Sequence, residues 1–290
     1  MILFVLLALQ AGPTLPSSPD PMPPRRPAPS APAPAAPAAP PRNPAASAVE
    51  TRYRACIDQI RGNAEAAVAA ANAWRTEGGG VHARMCLGLA LAALERWPQA
   101  ATAFEQAARE AESAQDPRRA DFWVQSGNAW LAAGDSARAL QAFDAALATP
   151  NLTDPLRGEV HLDRARALVS QGNVAAARAE IDRALQLVPD DGFAWYLSAA
   201  LARRENNLAR AGTDIARARA LAPDNPDILL LAGTMAGLAG NMAEAERLYR
   251  RVAEGAPDSD AGRAARASLA TLREVEIPAP AVAAPAPPPR

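Results

Sequence analysis

Two histidines, His82 and His161, and two cysteines, Cys56 and Cys86, are the residues of this chain best suited to chemistry. Zinc sites made of two cysteines and two histidines place the two cysteines a few residues apart and the two histidines likewise, and this chain does not show that spacing. No serine or cysteine is placed by the sequence as a nucleophile beside either histidine. The chain also lacks a glycine-rich phosphate loop, a GxSxG elbow and an HExxH pair. The sequence therefore predicts no catalytic residue, no metal site and no cofactor.

The charge pattern argues against nucleic acid as a partner. The 30 basic residues are all arginine and stand against 31 acidic residues, for a net charge of −1. Arginines and acids are interleaved along the middle of the chain, whereas nucleic-acid binding needs a local basic excess. We therefore expect no nucleic-acid partner.

The two ends of the chain differ in composition from its middle. Residues 2–9 form an apolar run that is too short for a membrane-spanning helix, which needs about 20 residues. It fits a signal peptide over residues 1–11, which predicts export to the bacterial periplasm and no stable transmembrane span; a cytoplasmic protein is the alternative. Residues 12–48 and 277–290 are rich in proline and alanine, which predicts a disordered linker and a disordered tail.

The middle of the chain repeats itself, which is the strongest signal in the sequence. Five two-residue markers, made of Gly, Asn or Asp, each follow an apolar stretch and precede an alanine-rich one. Their Gly or Asn permits the left-handed backbone that ends a helix. Three prolines that follow the later units are spaced by 34 residues. These markers are Gly62-Asn63, Gly134-Asp135, Gly172-Asn173, Asn206-Asn207 and Gly240-Asn241, with Pro189, Pro223 and Pro257.

One unit shows the internal pattern clearly, at residues 123–146. Trp123, Gly127 and Trp130 share one face of a first helix, and Ala139 and Phe143 share one face of a second. The small residues let the two helices approach, and the aromatic rings fill the space beside them. Each unit is therefore predicted to be a pair of packed helices.

This pattern resembles the tetratricopeptide repeat family, whose consensus is W-x2-L-G-x2-Y, then A-x3-F, then P. The resemblance covers about 225 residues and is weakest for the first pair, at about 50–77. It implies an all-α fold over residues 49–276: a right-handed α-solenoid of about five to six helix-turn-helix repeats. A capping helix is expected at 258–274.

The resemblance also implies a partner-binding groove on the concave face, lined by the first helix of each pair. The family's ligand-facing positions, transferred to this chain, favour Asn128, Arg166, Tyr196 and Arg203. Amide and guanidinium groups suit an extended backbone or a carboxylate, and the tyrosine supplies a stacking anchor. The family's carboxylate clamp is matched only loosely, by Asn128 and Arg166. Solvated helix surface is the alternative for all four residues.

The same resemblance assigns structural roles to the chemically suggestive residues. His161 falls at the Trp-type position of its unit, His82 lies two before that position, and the repeat-position tryptophans are expected in the core. Cys56 and Cys86 fall on the first helices of adjacent units, which touch in this fold. An exported chain would then carry a Cys56–Cys86 disulfide; two buried thiols are the alternative.

The sequence as a whole favours a non-enzymatic scaffold or adaptor that binds protein or peptide partners. The alternative is a regulatory or sensor subunit for a small ligand or saccharide, with Phe122, Phe193 and Tyr196 as aromatic contacts. Partner binding predicts an open groove, and a sensor predicts a closed pocket between repeats.

Overall fold

Thirteen α-helices and no strand form within residues 44–276, the part of the chain that the computed structural model describes. The predicted signal peptide, the tail 277–290 and most of the predicted linker lie outside these residues. The first helix begins at Pro44, ahead of the domain start predicted at residue 49. The helices are α1 (Pro44–Gly62), α2 (Ala64–Thr76), α3 (Gly80–Ala93), α4 (Trp97–Ser113), α5 (Arg119–Ala132), α6 (Ser136–Leu147), α7 (Asp154–Ser170), α8 (Val174–Leu187), α9 (Gly192–Arg204), α10 (Leu208–Leu221), α11 (Pro226–Leu238), α12 (Met242–Gly255) and α13 (Asp260–Glu276).

The helices belong to two compact units, which divide at residues 187 and 188. In the first unit, α1 to α8 form four consecutive pairs, and each helix packs on the next. In the second unit, α9 to α12 form two pairs, and α13 packs against α12 and α11 as the predicted cap. The predicted fold class, an α-solenoid of helix-turn-helix repeats, is confirmed. No helix within residues 44–276 combines the length and apolar character needed to cross a membrane.

The turns inside the pairs follow from the Gly/Asn markers. Gly134, Gly172 and Gly240 have φ of 79°, 76° and 80°, and Asn206 has φ of 57° at the matching position. Glycine adopts this left-handed backbone without the steric cost that a Cβ brings. Gly62 differs, since it is the last residue of α1 and its φ is not positive.

The residue after each turn caps the second helix. A side-chain oxygen accepts a hydrogen bond from the backbone N–H three residues later, which satisfies a donor that the helix itself leaves open. The capping pairs are Asn63 with Ala66, Asp135 with Arg138, Asn173 with Ala176, Asn207 with Arg210, and Asn241 with Glu244. In each marker, the second residue is polar and caps the start of the second helix, and the first residue lies at the end of the first helix.

The interior of the first unit is built from alanines and aromatic rings. Phe143 is fully buried between its helix pair, and Trp130 is buried beside it. Arg138 places its guanidinium carbon 3.8 Å from the centre of the Trp130 ring, within range of a cation–π contact. The small residues thus set the helix spacing, and the rings fill what remains.

Candidate partner-binding surfaces

The repeat-position tryptophans lie in or against the core. Trp74, Trp123 and Trp130 are buried, and Trp195 is partly buried. The indole Nε1 of Trp123 donates to Glu112 Oε1 at 2.7 Å, and that of Trp195 donates to the carbonyl of Pro189 at 2.8 Å. A buried indole N–H needs such a partner. The predicted packing role of these residues is therefore confirmed.

His161 belongs to a buried ion network between α7 and α8. Its Nδ1 donates to Glu180 Oε2 at 2.6 Å, and Arg164 and Arg183 donate to the same carboxylate. Burial alone would raise the pKa of Glu180. The His161 hydrogen bond and the charges of Arg164, His161 and Arg183 outweigh burial and hold that pKa below its ordinary value. This network ties the two helices of one repeat together.

Asn128 and Arg166, two of the predicted binding residues, are joined by a third residue. Asp163 on α7 is 3% exposed, and its Oδ2 accepts from Asn128 Nδ2 on α5 at 3.0 Å. Its Oδ1 accepts from Arg166 Nη1, also at 3.0 Å. A buried carboxylate is stable only with such donors. One acid therefore fixes both side chains across two neighbouring repeats.

The two residues differ in what they leave open. Arg166 keeps 19% of its side chain exposed, and within the described part of the chain only its Nη1 makes a hydrogen bond. The Oδ1 of Asn128 is buried and has no partner among the described residues. Arg166 can thus donate to an incoming group, whereas Asn128 serves mainly to hold Asp163.

The other two predicted residues, Tyr196 and Arg203, lie in the second unit. They are seven residues apart on α9, two helical turns, and so share one face. The Tyr196 ring lies 5.8 Å from the ring of Phe193, tilted by 31°. Arg203 is partly buried, and its Nε has no hydrogen-bond partner among the described residues. This surface combines aromatic area with a cationic group.

Sequence reasoning missed Asp163, although a signal was present. It is an acid on a helix whose neighbouring residues, Leu162 and Ala165, are buried. A buried acid three residues before an arginine indicates an ion pair within one helix. What the sequence does not show is the second partner, Asn128, from the preceding repeat.

A second cluster was also missed, where the middle of α1 meets the starts of α3 and α5. Tyr53 on α1 meets His82 on α3 edge to face, with ring centres 5.8 Å apart. Arg118, just before α5, lies over the Phe122 ring and pairs with Asp116. His82 occupies the ligand-facing position that Asp121 occupies in the next repeat. We call Tyr53, His82, Arg118 and Asp121 the rim cluster.

Three side chains of the rim cluster have pKa values that differ from their ordinary values. Burial raises the pKa of Tyr53 and of Asp121. Burial, assisted by the charge of Arg118, lowers the pKa of His82. All three shifts favour the neutral form, as expected where side chains are partly removed from water.

Features expected of a small-ligand sensor are weak. Phe122, one of its proposed aromatic contacts, is 6% exposed beneath Arg118. A depression lined by Gly134, Ser136 and Ser170 is shallow and open. Among the side chains that the structure describes, residues 48–272, no group of three or more His, Cys, Asp or Glu could hold a metal ion.

Comparison with known proteins agrees with this architecture. Two tetratricopeptide repeat models match the sequence, over residues 85–152 and 130–201. The chain therefore contains tetratricopeptide repeats over residues 85–201, and such repeats generally serve in protein-interaction scaffolds. No curated protein matches the sequence.

Solved structures show the same fold at low sequence identity. PilF of Pseudomonas aeruginosa superposes with a TM-score of 0.60 at 17% identity, over 78% of this chain and 100% of that one. PilW, described as a widely conserved type IV pilus biogenesis factor, gives 0.60 at 20%, over 74% and 97%. Yeast Tom70 gives 0.57 at 17%, over 70% of this chain and 42% of its own. At these identities the likeness establishes the fold alone.

Proposed function

We propose that this protein is a non-enzymatic scaffold that binds protein or peptide partners through the exposed side of its first helices. The observation that carries the proposal is the Asp163 bridge, because it holds Arg166 in place while leaving donors of Arg166 open. A guanidinium fixed in this way needs little further ordering when a partner arrives. It suits a backbone carbonyl or a carboxylate.

The second unit offers a separate contact surface of a different character. Tyr196 supplies a ring already positioned beside Phe193, and Arg203 supplies a cation two turns away on the same helix. Tyrosine and arginine are among the side chains enriched at the energetic centre of protein interfaces. We propose that this surface holds an aromatic or acidic segment of a partner.

We also propose that the chain is exported and carries a Cys56–Cys86 disulfide. The structure brings the two sulfur atoms to bonding distance, with Cα atoms 6.1 Å apart. This Cα separation lies in the range of natural disulfides, which form in oxidising compartments such as the periplasm. The apolar run 2–9 supports the same location. PilW is described as a pilus biogenesis factor, so envelope proteins are the first candidates for a partner search.

Peptide selection tests the binding proposal directly. Peptides selected from a random library on the wild-type protein would be measured against Arg166→Gln, Asn128→Ala and Tyr196→Ala. Arg61→Gln is the matched control, since Arg61 is 75% exposed on α1 and pairs with the equally exposed Asp58 of the same helix. We expect at least one family of peptides to lose about tenfold in affinity with Arg166→Gln and to keep full affinity with Arg61→Gln. Binders that tolerate all three test substitutions equally well would contradict the proposal.

Export and the disulfide are tested by mass spectrometry. The full chain would be expressed in a Gram-negative host and recovered from the periplasm. A mass that begins near Gly12, with no alkylation before reduction, is the expected result. A mass that retains Met1, with both thiols alkylated at once, would contradict export.

A further inference from the structure

Helix α1 is attached to the rest of the first unit along a single narrow stripe. Val49, Tyr53, Cys56 and Ile60 are spaced by four, three and four residues and therefore share one face. Cys56 alone is buried among the side chains described for this helix, residues 48–62. By contrast, α5 buries nine residues of its fourteen. Packing alone thus holds α1 far less firmly than an interior helix.

The polar contacts of α1 are exposed. Arg52 pairs with Glu77 at 2.7 Å, with side chains 45% and 57% exposed, and its guanidinium carbon lies 4.9 Å from the centre of the Trp74 ring. Exposed ion pairs contribute little to stability because water screens them. The edge-to-face contact of Tyr53 with His82 adds a weak aromatic term. None of these contacts matches the strength of a covalent bond to α3.

Beneath α1 lies an apolar surface that needs a cover. Trp74, Ala83 and Cys86 are buried together with Cys56 in one cluster. The outer side of α1 is polar, with Arg54, Asp58 and Arg61 exposed. A polar outer face over an apolar inner one is the design of a terminal cap in a repeat protein.

We infer that α1 is a redox-released cap: the Cys56–Cys86 bond holds it on α3, and reduction by a dithiol frees it. Release separates Tyr53 from His82, so the complete rim cluster exists only in the oxidised protein. Release also exposes the surface around Trp74. The inference rests on the disulfide proposed above. Cys56 lies on the helix to be released and is the more exposed of the two residues, 6% against 1%, so we place the first attack at its sulfur.

The chemistry is a thiol–disulfide exchange. One thiolate of the dithiol attacks the Cys56 sulfur, the S–S bond breaks, and Cys86 leaves as a thiolate that takes a proton. The second thiolate of the dithiol then displaces Cys56 from the mixed disulfide. The protein gains two electrons and two protons, and the reductant becomes a disulfide.

Hydrogen exchange read by mass spectrometry tests the cap. The full-length oxidised protein would be compared with the same protein kept in dithiothreitol, with alkylation confirming the redox state. We expect the amides of residues 44–62 to exchange at least tenfold faster after reduction. The amides of α5 to α8 serve as an internal control and should change by less than twofold.

Two variants sharpen the comparison. The double variant Cys56→Ala, Cys86→Ala should exchange like the reduced protein and show no response to dithiothreitol. Arg52→Ala, which removes only the exposed contacts, should leave α1 protected in the oxidised state.

The outcomes separate this inference from the proposals on which it rests. A bridged protein whose α1 stays protected after reduction would overturn the cap alone. Faster exchange throughout α5 to α8 would also overturn it, because the bond would then support the whole unit. Thiols that are free in protein recovered from the periplasm would remove the disulfide and the cap together.

Discussion

Gly127 and Phe143 are packed so closely that a Cβ added at position 127 would lie 2.4 Å from Cε1 of the Phe143 ring. The same relationship recurs between Gly88 and Phe104 and between Gly233 and Tyr249. In each case the first helix of the pair has a glycine at the point where an aromatic ring of the second helix lies against its backbone. This contact fixes the spacing within three of the pairs.

Gly127→Ala should therefore destabilise the protein, because the fully buried Phe143 ring has no space to move aside. Forcing an extra methyl into such a site costs about 1–3 kcal/mol. Urea unfolding followed by far-UV circular dichroism measures the loss. Gly212→Ala on α10 is the control, since nothing lies within 4 Å of its added Cβ. There the better helix propensity of alanine should increase stability by up to about 1 kcal/mol, and equal effects at the two sites would contradict this explanation.

Removal of the acid that joins the two predicted binding residues should also be costly. Asp163→Ala leaves Asn128 Nδ2 and Arg166 Nη1 without their acceptor, and hydrogen bonds to a charged group contribute about 1.5–3 kcal/mol. We expect a loss of this size in urea unfolding. Asp58→Ala breaks the exposed pair with Arg61 and should change stability by less than about 0.5 kcal/mol. A result in which Asp163→Ala is as mild as Asp58→Ala would show that the bridge is dispensable.

The turns inside the pairs offer a substitution that should stabilise the protein. Glu95 has φ of 57° in the turn between α3 and α4, at the position that Gly134 fills between α5 and α6. A side chain in this left-handed region costs about 1–2 kcal/mol. Glu95→Gly should therefore raise the midpoint of thermal unfolding, and Gly134→Ala should lower it. Calorimetry of both variants checks the pair, and a fall in both midpoints would rule out backbone strain at Glu95.

Stability should depend on pH through His82. Its pKa is held below the ordinary 6.5 by burial and by Arg118, while Glu50 and Asp116 oppose the shift. Because the unfolded chain binds a proton more readily at this site, stability falls as the pH drops below about 6.5. His82→Asn should weaken this dependence between about pH 7.5 and pH 5.5. Urea titrations across that interval measure the slope, and an NMR titration of the His82 ring that centres above 6.5 would show the opposite sign.

The repeat architecture could be predicted because its signals are local. A glycine or asparagine at a left-handed turn, as at Gly172 and Asn206, and a cap such as Asn241 depend on the backbone next to them. Gly62 does not adopt the left-handed backbone predicted for its marker, and the reason is equally local: α1 continues through Gly62, and the next residue, Asn63, caps α2. The proximity of Cys56 and Cys86 followed from the repeat register, since equivalent first helices lie side by side.

The candidate surfaces could be predicted only in part. The resemblance favours Asn128 and Arg166 as contacts for a partner, and the structure joins them through Asp163, an acid from the same helix as Arg166. The rim cluster was missed because Tyr53, His82 and Arg118 come from three separate segments of the chain. Their contact depends on the angle between stacked helix pairs, and the repeat period of the sequence does not determine that angle.

The sequence by itself determined the helices, their turns and caps, and the pairing of first with second helices. These features depend on backbone preference and on the spacing of small and large residues along one chain. Only the tertiary structure decided which polar groups are buried together, as with Asp163 between Asn128 and Arg166 and with Glu180 beside His161. A buried charge is stable wherever donors converge on it, and that convergence depends on how neighbouring repeats stack in three dimensions.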